Sequence, residues 1–254
     1  MKTVEVRGMK IGEGIPKICV SVMGIARPDI RLKTKEVVDH HTDIVEWRGD
    51  WYCDILKEKK VLSVLPEIRE IIGDKPLLFT FRSADEGGEQ VIHIKDYVEL
   101  CNTIIESGYV DIIDVELYTG DQQVQEIVEK AHAHNVKVMI SNHDFQNTPD
   151  KDEIVRRLCK MQELGADLVK IAVMPKNRRD VLTLLAAEEE MLANHAKCPM
   201  CAISMGRLGA VTRACGEIFG SDLTFGSVGK LSAPGQIKIE ELREIMECLH
   251  SVSE

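Results

Sequence analysis

Ala166-Asp167-Leu168-Val169-Lys170-Ile171-Ala172-Val173 is an apolar run with a lysine near its centre. Its branched residues read as a strand, and a strand this apolar is buried on both faces, as in a parallel sheet covered by helices. An ammonium group is among the least tolerated guests there. One account is a stem lying in apolar surroundings while the head reaches solvent at the strand end. The other is a functional amine, because burial favours the neutral form and a neutral amine attacks carbonyl carbon. The rest of the chain decides between them.

Comparable runs recur at 17–23, 43–48, 77–82, 110–117, 136–143, 200–205 and 222–226. Helix-period patterns separate them, for example at 121–134, 151–164 and 176–195. Gly73-Asp74, Ser107-Gly108 and Gly165 stand where helices should end. Eight βα units with no linker predict an α/β chain folded as one (β/α)8 TIM barrel, a single catalytic domain over residues 1–254. A doubly wound sheet would carry a glycine-rich turn after its first strand, and Ser21-Val22-Met23-Gly24-Ile25-Ala26 is too poor in glycine. The first fifteen residues, with Gly12 and Gly14, suggest a β-hairpin closing one barrel end.

A net charge of −10 argues against nucleic acid or an acidic membrane surface as partner. No apolar stretch is long enough to span a bilayer, and the N-terminus lacks the pattern of a secretory signal. These limits fit a cytoplasmic enzyme with a small-molecule substrate. The eight cysteines are scattered, which suits free thiols in apolar segments more than a disulfide framework. Cys198-Pro199-Met200-Cys201 has motif spacing but runs into a strand and has no second ligand pair.

Strand residues alternate between two faces. One set is almost purely apolar: Ile18, Val20 and Val22; Val45 and Trp47; Phe79 and Phe81; Ile113, Val115 and Leu117; Val136, Val138 and Ile140; Val169, Ile171 and Val173. It should pack outward against helices. The other set should face the barrel interior, and it contains Ser21, Glu46, Arg48, Thr80, Arg82, Asp114, Glu116, Ser141, His143 and Lys170. Charges of both signs, weighted toward strand C-terminal ends, are costly as structure. That end is where this fold builds active sites. Lys170 therefore reads as one member of a polar cluster.

His143, in Ser141-Asn142-His143-Asp144-Phe145, ends the strand beside that of Lys170 and suits proton transfer near neutral pH. In the loop Phe81-Arg82-Ser83-Ala84-Asp85-Glu86-Gly87-Gly88-Glu89, Arg82 is placed to hold substrate oxygens and Glu86 to orient the imidazole. Glu46 and Arg48 form a pairing suited to polyol hydroxyls. Arg213 falls early in a helical segment, and the small-residue loop 226–236 reads as a lid or a plain flexible loop. No set of His, Asp and Glu has metal-ligand spacing, so no metal is expected. An amine, an imidazole and several arginines suggest a small, anionic, hydroxylated ketone, dehydrated through an iminium and an enamine.

These residues resemble those of the type I 3-dehydroquinate dehydratases, Schiff-base enzymes of the shikimate and quinate routes. The likeness covers nearly the whole chain and rests on five motifs in order. They are Val45-Glu46-Trp47-Arg48, the Phe81–Glu89 loop, Ser141-Asn142-His143-Asp144-Phe145, Val169-Lys170-Ile171-Ala172 and Ser232-Ala233-Pro234-Gly235-Gln236. The resemblance implies Lys170 as Schiff-base lysine, His143 as proton shuttle and Glu86 as its positioner. It implies Glu46, Arg48 and Arg82 on the ring hydroxyls and Arg213 on the carboxylate. Ser21, Ser232 and Gln236 would complete the pocket and lid, with Met205 and Phe225 as apolar walls. It also implies a homodimer and no cofactor. Ile203 stands where some relatives have methionine, a change that bears on pocket shape and not on chemistry. The residues by themselves also admit a class I aldolase, which uses a barrel lysine but needs a phosphate grip, or a non-catalytic binding barrel that kept the pocket.

Overall fold

The computed structural model describes residues 3–252; the remaining four residues of the expected 1–254 domain lie outside the described residues. The chain opens with a hairpin, β1 (Val4–Val6) against β2 (Met9–Ile11). Its turn is Arg7-Gly8, both at positive φ (50° and 78°), the backbone that a two-residue hairpin turn requires. The expected hairpin is present, but Gly12 and Gly14 follow it and lead the chain into the barrel.

Eight parallel strands then follow: β3 (Lys17–Val22), β4 (Ile44–Arg48), β5 (Leu77–Thr80), β6 (Ile112–Glu116), β7 (Lys137–Asp144), β8 (Leu168–Val173), β9 (Met200–Ser204) and β10 (Leu223–Gly226). They pair in the order β10-β3-β4-β5-β6-β7-β8-β9 with helices between them, a nearly closed (β/α)8 barrel. Asp222 bridges its open seam, donating its N–H to the Met200 carbonyl at 2.7 Å and accepting the Met200 N–H at 3.0 Å. The third barrel strand ends at Thr80, so Phe81 and Arg82 sit just past the ladder and keep the strand's alternation.

Parity divides the molecule into two cores. Every residue of the expected outward set lies in one buried cluster between barrel and helices. Each such Val, Leu, Ile or Phe contributes about 1.5–3 kcal/mol by leaving water. The second cluster fills the barrel. Val4, Val6 and Ile11 of the hairpin pack there with Cys19, Ile44, Leu78, Ile112, Met139, Leu168 and Leu223. The hairpin is thus an apolar floor at the strand N-terminal ends, and the C-terminal ends are left to polar residues. The helix Arg178–Glu190 shows how local chemistry places an element: Asn177 accepts the N–H groups of Arg179 and Asp180, and Asp180 returns a bond to the Asn177 N–H.

Cys198 belongs to the outer cluster and Cys201 to the inner one, and both are free. No described helix is long and apolar enough to cross a membrane.

Candidate active site

Lys170 sits mid-strand in β8, in register with Ser141 of β7 and Cys201 of β9. It is 5% exposed, so its head does not reach solvent at the strand end. Its Nζ lies 4.0 Å from the centre of the Phe225 ring and 3.8 Å from Oδ2 of Asp114. It opens onto a cavity at the C-terminal mouth of the barrel.

His143, two residues past Ser141 on the same face, lines that cavity. Glu86 arrives from a single 3-10 turn, Ala84–Glu86, that follows β5. Its Oε2 accepts the backbone N–H of His143 at 2.9 Å and lies 3.0 Å from the ring Nδ1, while Oε1 accepts the Asn142 amide at 3.1 Å. Gly87 makes that approach possible: its φ is +83°, and a Cβ there would fall 2.3 Å from the Phe145 ring. Burial pushes the Glu86 carboxyl up to about 8, against the pull of Arg82. Burial, with Arg82 and Lys170 nearby, holds His143 well below the usual imidazole range. These surroundings favour the neutral imidazole, the form able to take a proton.

The three arginines are held in different ways. Arg48 is clamped by Asp50 through two bonds, 2.7 and 2.8 Å. Arg82 donates to Glu116 at 2.9 Å, Ser141 at 3.0 Å and Asp114 at 2.8 Å. Burial opposes its charge, but Asp114, Glu116 and Glu86 reverse that and hold the guanidinium above its ordinary value. Arg213 closes the short 3-10 turn Ala210–Arg213 and, among the described residues, meets no carboxylate. Among the described residues it donates only to the carbonyls of Phe225 (3.3 Å) and Pro234 (3.1 Å) and its Nε has no partner, and burial pushes it down to about 10. A buried cation with spare donors facing a cavity is a seat for an anion.

Loop 227–238 lies over the mouth. Gln236 donates to Ser232 Oγ at 2.9 Å and accepts the Ser232 N–H at 2.8 Å, Gly206 donates its N–H to Pro234 O at 3.0 Å, and Lys230 stacks on Trp51 at 4.0 Å. Glu46 is satisfied by the hydroxyls of Ser21 and Thr80.

Lys170, His143, Glu86, Glu46, Arg48, Arg82, Met205, Arg213, Phe225, Ser232 and Gln236 all line this one cavity. Ser21 stands behind the wall, bonded to Glu46 and 3.0 Å from Ser232 Oγ. Sequence reasoning overlooked Asp50, which follows Arg48 beyond the strand where parity no longer applies, and Asn142, whose side chain leaves the barrel face to reach Glu86. Ile203 lines the cavity as expected for an apolar wall. Among the described residues, no cluster of three His, Cys, Asp or Glu is placed to hold a metal ion.

A family model described as type I 3-dehydroquinase matches residues 18–253. The 3-dehydroquinate dehydratase of Salmonella typhimurium is 51% identical over 250 residues, covering 98% of this chain and 99% of that protein. That of Clostridioides difficile is 52% identical over 249 residues, covering 98% of each. A crystal structure of the type I enzyme from Clostridium difficile, described as carrying covalent modified comenic acid, superposes with a TM-score of 0.96 at 51% identity and covers 99% of both chains.

Proposed function

Because the chain belongs to the type I 3-dehydroquinase family, we propose that Lys170 carries its reaction as a covalent iminium while His143 moves the protons. The reaction is dehydration of 3-dehydroquinate to 3-dehydroshikimate, a hydro-lyase step of the shikimate pathway. The observation that carries the mechanism is a buried primary amine sharing one cavity with an imidazole whose Nδ1 lies 3.0 Å from the Glu86 carboxylate.

The Lys170 amine adds to the ketone carbon, and loss of water from the carbinolamine leaves a C=N⁺ iminium. That charge acidifies the adjacent C–H. His143, its Nδ1 engaged by Glu86, takes the proton through Nε2 and forms the enamine. The enamine electrons expel the β-hydroxyl, which leaves as water with the proton returned by His143. A second water hydrolyses the product iminium and frees the lysine, so one water is lost overall. Arg213 supplies the seat for the substrate carboxylate, and Glu46, Arg48 and Arg82 present a polar wall to the ring hydroxyls. Ser232 and Gln236 close over them, with Met205 and Phe225 as apolar walls.

Replacing Lys170 with methionine should abolish the ultraviolet signal of the conjugated enone while calorimetry still detects substrate binding. Undiminished enone formation by Lys170→Met would overturn the mechanism. The same reading includes a homodimer in the cytoplasm, and a monomer by sedimentation at working concentration would contradict the dimer.

A further inference from the structure

We infer that Asp114 is the counter-ion of the positively charged Schiff-base nitrogen, a role that rests on Lys170 forming the iminium. Asp114 projects from β6 into the barrel and is completely buried. One of its oxygens is fully engaged: Oδ1 accepts Arg82 at 2.8 Å and Ser141 Oγ at 2.7 Å. The other, Oδ2, has no hydrogen-bond partner among the described residues. It lies 3.8 Å from Lys170 Nζ, the one carboxylate within ion-pair reach of that nitrogen among them. Other carboxylates of the site are spent. Glu46 is bonded on both oxygens by Ser21 and Thr80, and Glu86 on both by Asn142 and His143.

A buried carboxylate oxygen left without a donor is costly and calls for an explanation. At 3.8 Å the contact with the resting lysine is too long for a hydrogen bond. Conversion to the iminium flattens the nitrogen and leaves it a single N–H hydrogen, which the Asp114 oxygen is placed to accept. The nitrogen carries positive charge twice in the cycle, when the substrate iminium forms and again when the β-hydroxyl departs. A fixed carboxylate in a buried site lowers both barriers without having to reorganise. The Phe225 ring, 4.0 Å from the same nitrogen, supports the cation from another side. Arg82, a charged donor to Oδ1, holds the carboxylate in place.

The test is a rapid-quench borohydride time course with 3-dehydroquinate, reading the reduced adduct on Lys170 by peptide mass mapping in wild type, Asp114→Asn and Ser141→Ala. Asp114→Asn keeps the size and an acceptor for Arg82 but removes the charge. Adduct formation and kcat should each fall roughly tenfold or more in that variant. In Ser141→Ala, which loses a bond to the same carboxylate but keeps its charge, both should stay within about threefold. Thermal melts confirm folding, and Asp114→Ser, also uncharged, carries the same expectation where the asparagine variant does not fold. Adduct formation at the wild-type rate in either uncharged variant overturns the assignment and leaves the Lys170 mechanism standing. Equal losses in Ser141→Ala and Asp114→Asn also overturn it, because the role would then be structural. Absence of a Lys170 adduct in wild type would instead overturn the mechanism on which the assignment rests.

Discussion

Oε2 of Glu86 holds His143 at two points, accepting its backbone N–H at 2.9 Å and lying 3.0 Å from its ring Nδ1. This double contact fixes the imidazole plane and leaves Nε2 as the nitrogen for proton exchange. It also places the shuttle in a buried site, where protonation is disfavoured from the start.

The acid limb of kcat against pH should therefore lie below the ordinary imidazole value of 6.5, because burial keeps His143 in its basic form to lower pH. A pH profile at saturating substrate checks this. An acid limb at or above 6.5 that vanishes in His143→Gln would show that burial does not govern the base.

His143→Ala should still form the iminium, since attack belongs to Lys170, yet turn over roughly 10²–10⁴ times more slowly. Borohydride labelling alongside steady-state kinetics separates the two. Full activity in this variant would contradict the assignment.

Arg213→Ala should act on KM more than on kcat, because the guanidinium grips a group remote from the bonds that change. Loss of a charge-assisted contact worth about 1.5–3 kcal/mol corresponds to a roughly 10–150-fold rise in KM. An unchanged KM would remove Arg213 from the carboxylate seat.

Glu188 is a buried carboxyl outside the cavity, bonded to Ser221 Oγ at 2.5 Å, and burial pushes it up to about 8 from an ordinary 4.5. Its folded value lies above its unfolded one. Its contribution to stability is thus fully present below about 4.5 and is lost as pH rises through about 8. Relative to Glu188→Gln, the wild type should lose a few kcal/mol between pH 5 and pH 9, at about 1.4 kcal/mol per pH unit of displacement. Thermal melts of both proteins at the two pH values measure it, and a gap independent of pH would refute it.

The barrel and most of the site were legible because a period of two carries both. Val169, Ile171 and Val173 went to the helices, while Lys170 went inward with Asp114 and Ser141. Parity gives the face of a residue but not its partners. It placed Arg82 and Asp114 together inside the barrel, yet gave no sign that three acceptors surround Arg82 and that Arg213 meets no carboxylate among the described residues. Asp50 and the Arg7-Gly8 turn lie where backbone leaves the strand, and their positions come from loop geometry that alternation does not describe.

Borohydride reduction of the enzyme during turnover of 3-dehydroquinate, followed by peptide mass mapping, tests the central claim most directly. The reduced adduct should appear on the peptide bearing Lys170 and inactivate the enzyme in proportion to labelling. An unmodified Lys170 in enzyme that was turning over when quenched would contradict the account.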